Sequence, residues 1–203
     1  LAHVHPLLQQ FWPQLALSPT DRVFVPLCGK SRDLMWLRAL GHHVTGVELS
    51  PVAIRALFKE SGLQPARTRD DRFTRWDQDR LRIFCGDFFA LTAADLAGTK
   101  ALYDRASLTA LPAELRDAYV DHLAAILPGD CRQLLLTVED LDEDEDEVSA
   151  GASSDEIVAL YGRHFAIDLR QATFFPAVPA TGDGIAEARS VHKVYLIGAH
   201  PPA

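Results

Sequence analysis

Glycine and polar residues follow four short apolar runs of the chain, at positions where the strands of a parallel sheet would end. They are the loop at 26–30 (Pro-Leu-Cys-Gly-Lys), Glu48, the segment 86–88 (Gly-Asp-Phe) and the pair 104–105 (Asp-Arg). The carboxyl ends of parallel strands meet at one edge of an open α/β sheet, which is where such sheets bind ligands. We therefore expect these four groups to line a single cleft.

The first loop and Glu48 together restrict the kind of ligand. An acid about twenty residues beyond a first strand and loop can accept the hydroxyls of an adenosine ribose, although a solvated carboxylate is an alternative interpretation. The loop carries one glycine, Gly29, whereas a pyrophosphate needs close backbone approach at several residues. The pattern thus favours a nucleoside without phosphates over NAD or FAD. S-adenosylmethionine, with S-adenosylhomocysteine as its product, is such a ligand.

Three further residues could contact a bound nucleoside or its reaction partner. Asp87 and Phe88 could offer an adenine a hydrogen bond and an apolar face, and core packing is the alternative for Phe88 or its neighbour Phe89. An arginine at the end of a central strand is costly unless it faces a ligand or pairs with an acid, and Arg105 could do either. Cys28 has no histidine close in sequence, so a small buried role is favoured over a nucleophile.

Composition excludes several other classes of protein. The 203 residues are 48% hydrophobic and carry a formal net charge of -8, which argues against a nucleic-acid partner. The sequence shows neither an apolar run near the roughly 20 residues of a membrane span nor a complete set of metal ligands. Three distant cysteines without a C-x-x-C pair favour reduced thiols and a cytoplasmic location.

The periodicity of apolar residues predicts a parallel α/β sheet, because short apolar runs alternate with amphipathic stretches. The last two strands should form an antiparallel hairpin, and the acidic run at 140–147 should be a solvated loop. The predicted strands are 22–27, 43–49, 81–85, 101–103, 133–138, 166–175 and 191–197. The predicted helices are 4–15, 31–40, 51–58, 92–96, 113–127 and 155–161.

Several of these segments recur together in a fixed order. They read V-P-L-C-G-K-S-x-D at 25–33, G-H-x-V-x-G-V-E-L-S at 41–50, C-G-D-F-F-A-L at 85–91 and Y-D-R-A at 103–106. This set, which covers most of residues 11–139, resembles the thiopurine S-methyltransferase family. The resemblance implies a class I, Rossmann-like fold in a single domain over 1–203. It would have three layers and a doubly wound, mostly parallel seven-stranded sheet with a C-terminal antiparallel strand.

The resemblance also assigns roles to individual residues. It implies that S-adenosylmethionine is bound by Leu27, Gly29, Glu48, Asp87, Phe88 and Arg105, with Arg105 also the catalytic residue. We expect the guanidinium to support a thiolate or carboxylate of the methyl acceptor, with Asp104 orienting it.

The implied activity is methylation of a thiopurine-like or aromatic thiol, or of a selenium or tellurium compound, in a monomeric detoxification enzyme. The family's opening segment, with two tryptophans and a Phe-His pair, is absent from the sequence or present only as its downstream end at Leu1. The acidic run stands in place of the family's Gly-Pro-Pro-Phe stretch. The alternative is therefore a non-catalytic nucleoside-binding protein of the same fold.

Overall fold

The computed structural model describes residues 3–140, 153–176 and 189–200, and within them nine strands form one sheet. The strands are β1 (Arg22–Val25), β2 (His43–Glu48), β3 (Ala66–Arg69), β4 (Thr74–Gln78), β5 (Leu81–Cys85), β6 (Thr99–Arg105), β7 (Arg132–Asp140), β8 (Ala166–Pro176) and β9 (Arg189–Gly198). Their order across the sheet is β3-β4-β5-β2-β1-β6-β7-β9-β8.

Helices begin where the sequence supplies capping groups. The helices are α1 (Pro6–Phe11), α2 (Arg32–Ala39), α3 (Pro51–Glu60), α4 (Ser107–Ala110), α5 (Ala113–Ile126) and α6 (Ser154–Tyr161). The Ser31 hydroxyl accepts an N–H of the first turn of α2, and Ser50 does the same for α3, whose first residue is a proline. No helix in the described parts of the chain has the length and apolar character needed to cross a bilayer.

The topology confirms the expected α/β fold with a mostly parallel sheet. Strands β5, β2, β1, β6 and β7 are parallel to one another, and β9 lies antiparallel between β7 and β8. The C-terminal pair is thus the predicted antiparallel hairpin. The count of seven strands was too low, because an antiparallel hairpin of β3 and β4 extends the sheet beyond β5. All four residues of β3 are exposed, so this hairpin lacks an apolar face that a sequence pattern would show.

Helices cover both faces of the sheet. In β1, Val23 and Val25 face one apolar cluster with residues of α1, α2 and α3, whereas Phe24 faces a second cluster with residues of α4, α5 and α6. This alternation follows from the two-residue period of a strand. The three-layer, doubly wound arrangement is therefore confirmed.

Two predicted helices differ from those observed. The helix expected at 4–15 is α1 followed by a 3-10 turn, Trp12–Leu15, because Pro13 cannot continue α-helical hydrogen bonding. The helix expected at 92–96 is a series of turns, in which the Asp95 carboxylate accepts both the backbone N–H (2.9 Å) and the hydroxyl (2.7 Å) of Thr92. The predicted acidic loop and the connection between the last two strands lie outside the described residues, except at their ends: Asp140 closes β7 and Pro176 closes β8.

Candidate functional site

A cavity of about 600 Å³ opens at the carboxyl ends of β1, β6 and β7. This is where the strand order changes direction, because the chain builds outward from β1 first through β2 and later through β6. Both the position and the volume are typical of a small-molecule site in an open α/β sheet. Its lining comes from the loop after β1, from β6 and β7, from the start of α1 and from β9.

The loop after β1 forms the floor on one side of this cavity. Its backbone passes twice through the left-handed region, at Leu27 (φ 42°) and at Gly29 (φ 53°). The Cys28 N–H donates to the Val47 carbonyl over 3.0 Å, which fixes the loop to β2. Burial raises the pKa of the Cys28 thiol, so this cysteine packs as a small apolar residue and is a poor nucleophile.

The Glu48 carboxylate connects the ends of β1 and β2. One oxygen accepts the Gly29 N–H over 2.9 Å and the other accepts the Ser50 N–H over 2.7 Å. A carboxylate offers about four lone-pair sites, so each oxygen retains one after these bonds. The half-buried Glu48 side chain therefore fits a ribose, whose two hydroxyls could each donate to one oxygen.

Arg105 enters the cavity from the end of β6 and is held by residues at the start of α2. Its Nε lies 3.4 Å from Oδ2 of the buried Asp33, and its Nη2 donates to the Ser31 hydroxyl over 3.3 Å. The Tyr103 hydroxyl donates to the same Asp33 oxygen over 3.0 Å. The acid that pairs with Arg105 thus comes from α2.

The expectation that Asp104 orients Arg105 was wrong. The Asp104 carboxylate accepts the Ser107 N–H over 3.0 Å and the Tyr119 hydroxyl over 2.7 Å, on the face of the sheet opposite Arg105. Successive side chains of a strand point to opposite faces, so neighbours in sequence cannot share this contact. Burial raises the pKa of Asp104, and its two donors counteract part of that shift.

The six predicted cofactor-binding residues occupy three places. Leu27, Gly29 and Arg105 line the cavity, and Glu48 is bonded to Gly29. Asp87 and Phe88 lie beyond them, after β5, and are not among the lining residues. Asp87 is exposed and accepts the Phe89 N–H over 3.0 Å.

Phe88 is a core residue in this structure, as the alternative interpretation allowed. Its ring centroid lies 4.8 Å from that of Tyr119 and 5.1 Å from that of His122. The contacts of Asp87 and Phe88 with an adenine remain predictions.

Comparison with known proteins agrees with this geometry. The family model of thiopurine S-methyltransferase matches residues 1–196. The chain belongs to this family. The thiopurine S-methyltransferase of Stutzerimonas stutzeri (strain A1501) is 47% identical over 201 residues, which are 98% of this chain and 84% of that protein. The chain is therefore an enzyme, an S-adenosylmethionine-dependent methyltransferase of the thiopurine S-methyltransferase family.

Solved structures show the same fold at much lower sequence identity. A SAM-dependent methyltransferase from Anabaena variabilis superposes with a TM-score of 0.64 at 14% identity, over 96% of this chain and 84% of that one. The 1,6-didemethyltoxoflavin-N1-methyltransferase of Burkholderia thailandensis gives a TM-score of 0.60 at 16% identity, over 96% of this chain and 77% of that one. That second protein was solved with S-adenosylhomocysteine bound.

Four cavity residues of this thiopurine S-methyltransferase family member were given no role from the sequence: His5, Asp33, Tyr103 and His192. Asp33 and Tyr103 belong to the recurring segments at 25–33 and 103–106, but nothing in those segments indicated what the two residues do. Asp33 looks like an ordinary acid in the first turn of a helix, and only the tertiary structure buries it. His5 and His192 come from opposite ends of the described chain, so their spacing carries no information. Burial, and then the charge of Arg105, lower the pKa of His5, which is therefore neutral at neutral pH.

Proposed function

We propose that this chain transfers a methyl group from S-adenosylmethionine to the sulfur of an aromatic or thiopurine-like thiol, or to a selenium or tellurium compound. The observation that carries the proposal is the guanidinium of Arg105 in a cavity whose other walls include the apolar Leu7, Leu136 and Val138. A fixed cation beside apolar walls suits an acceptor that has a charged chalcogen and an apolar body.

The residues of the site divide between the two substrates. Glu48 would hold the ribose of the cofactor, and Leu27 would pack against it. Arg105 would stabilise the thiolate of the acceptor and hold it in line with the donor. S-adenosylmethionine supplies the methyl group on a positively charged sulfur.

Alignment and exclusion of water are the main requirements of this reaction, because charge is neutralised as the methyl group moves. A carbon–sulfur bond forms to the acceptor, the bond to the donor sulfur breaks, and S-adenosylhomocysteine leaves. An aromatic thiol has largely lost its proton to solvent near neutral pH, so the reaction does not require a strong general base.

The test is a methylation assay with the full chain, preceded by calorimetric titration with S-adenosylhomocysteine. We expect S-adenosylhomocysteine to bind and an aromatic thiol such as thiophenol to be methylated, with selenite and tellurite tested in parallel. Arg105→Ala should lower kcat/KM for the thiol about tenfold or more, as the loss of a charge-assisted contact does. Arg69→Ala, at an exposed position of β3, is the matched control and should behave as the parent.

Two results would contradict this proposal. If S-adenosylhomocysteine binds and none of the acceptors is methylated, the non-catalytic nucleoside-binding protein is favoured. If Arg105→Ala changes neither turnover nor acceptor binding, the role given to Arg105 is wrong.

A further inference from the structure

Asp33 is a buried acid that touches both the cavity and the start of the described chain. The residue is 1% exposed and lies in the first turn of α2. A charge that is buried this completely is retained only when it is paired and hydrogen-bonded, and its partners are therefore informative.

The two oxygens of the Asp33 carboxylate have different partners. Oδ1 accepts the backbone N–H of His5 over 2.8 Å, just before α1 begins. Oδ2 accepts the Tyr103 hydroxyl over 3.0 Å and lies 3.4 Å from Arg105 Nε. Because the carboxylate is planar and bonded on both sides, its orientation is fixed, and so is the position it offers to the guanidinium.

Ser31 provides the second support for the same guanidinium. Its hydroxyl accepts from Arg105 Nη2 over 3.3 Å and from the backbone N–H of Asp33 over 3.2 Å. Arg105 is thus held at two of its nitrogens by the N-cap and the first turn of α2. A guanidinium has five N–H donors, so donors remain for an acceptor in the cavity.

We propose that Asp33 is a positioning residue, which fixes the guanidinium of Arg105 toward the methyl acceptor and couples that orientation to the seating of the segment before α1. The proposal rests on the function proposed above for Arg105. An arginine side chain loses rotamer entropy when it is ordered. Asp33 orders this side chain during folding, so the same entropy is not lost again when the acceptor binds.

A double-mutant cycle tests this inference. Asp33→Asn keeps the volume and removes the charge, and we expect it to raise the acceptor KM about tenfold, the size of a lost hydrogen bond to a charged group. The Kd for S-adenosylhomocysteine should stay within about twofold of the parent value, because the Asp33 carboxylate bonds to His5, Tyr103 and Arg105 and not to the Glu48 that would hold the ribose. In an Arg105→Ala background the same substitution should have almost no further effect on KM, because its target is gone.

The cycle separates failure of the inference from failure of the proposed function. If Arg105→Ala alone leaves KM and kcat unchanged, the proposed role of Arg105 fails. If Arg105→Ala impairs the enzyme but Asp33→Asn adds an independent loss, or lowers only the fraction of folded enzyme, the inference about Asp33 is overturned.

Two further variants protect the test against a purely structural effect. Asp104→Asn removes a second buried acid, one that does not contact Arg105, and should leave the acceptor KM unchanged. If Asp104→Asn raised the acceptor KM as much as Asp33→Asn does, the inference would be overturned. If Asp33→Asn does not fold, Tyr103→Phe takes its place in the cycle. It removes one donor to Oδ2, and its smaller KM effect should likewise vanish in the Arg105→Ala background.

Discussion

At the scale of single residues, the two carboxylates of this site accept hydrogen bonds from the protein's own backbone. Glu48 accepts two backbone N–H groups, and Asp33 accepts one from His5. Glu48 therefore supports the loop after β1, and Asp33 supports the segment before α1, in addition to any contact that each makes with a ligand. Substitutions at these positions should change both stability and binding, and a measurement of activity alone would not separate the two.

Glu48→Gln should weaken binding of S-adenosylhomocysteine about tenfold and lower the Tm, because the amide keeps one acceptor oxygen and sets its NH₂ group against a backbone N–H. Calorimetric titration and thermal unfolding measure the two effects. Glu114→Gln, at an exposed position in the first turn of α5, is the control and should change neither. Parent-like affinity in Glu48→Gln would show that Glu48 does not hold the ribose.

At the scale of elements, β2 supports the loop after β1 through a close approach at Gly46. A Cβ atom at this position would lie 2.8 Å from Cys28 Sγ and 2.8 Å from Ile83 Cδ1. No side chain fits there unless the side chains of Cys28 and Ile83 move. Gly46 thus allows β2 to pack closely against the Cys28 and Ile83 side chains, which belong to the loop after β1 and to β5.

Gly46→Ala should destabilise the fold by about 1–3 kcal/mol, the usual cost of overpacking a well-packed core. Equilibrium unfolding in urea measures this difference. Gly129→Ala is the matched control, since a Cβ atom there meets nothing within 4 Å. Equal stabilities for the two variants would mean that the side chains of Cys28 and Ile83 move aside at little cost.

The elements also show what could be predicted from sequence and what could not. The central strands could be predicted because they are buried on both faces and therefore read as continuous apolar runs. The β3–β4 hairpin could not, since the only residue of β3 or β4 that is buried is Trp76. The partner of Arg105 was missed for another reason: Asp33 reaches it from a different element, 72 positions earlier in the numbering, and pairing across elements leaves no periodic signal.

At the scale of the whole molecule, an ion pair connects the β3–β4 hairpin to the segment that precedes β6. Arg72, in the turn between β3 and β4, donates from Nη1 to Asp95 over 2.8 Å and from Nη2 over 3.1 Å. The hydrogen bond from Arg72, together with those from Thr92, lowers the pKa of Asp95 to about 2 from its ordinary 3.8. The ion pair therefore stabilises the fold above the ordinary pKa, and this stabilisation is lost as the pH falls from about 4 to about 2.

Asp95→Asn should make the free energy of unfolding less sensitive to acid. We expect the loss of stability between pH 6 and pH 2.5 to be smaller in this variant by about 1 kcal/mol, less than the full linkage value because solvent partly screens Arg72. Urea unfolding at the two pH values gives the difference. Asp168→Asn controls for the removal of one negative charge at an exposed position. If Asp95→Asn and the parent lost the same stability in acid, the ion pair between Arg72 and Asp95 would make no such contribution.

The position of β9 between β7 and β8 has a consequence for the order in which the chain is synthesised. The ribosome releases β8 before β9, yet β8 pairs with β9 alone, and Tyr195 of β9 lies opposite both Leu135 and Leu169. A nascent chain that ends before residue 189 would therefore carry β8 without its partner strand, and the cavity would lack the wall that His192 provides. Completion of the binding site therefore has to wait for β9, which follows every other strand of the described sheet in the sequence.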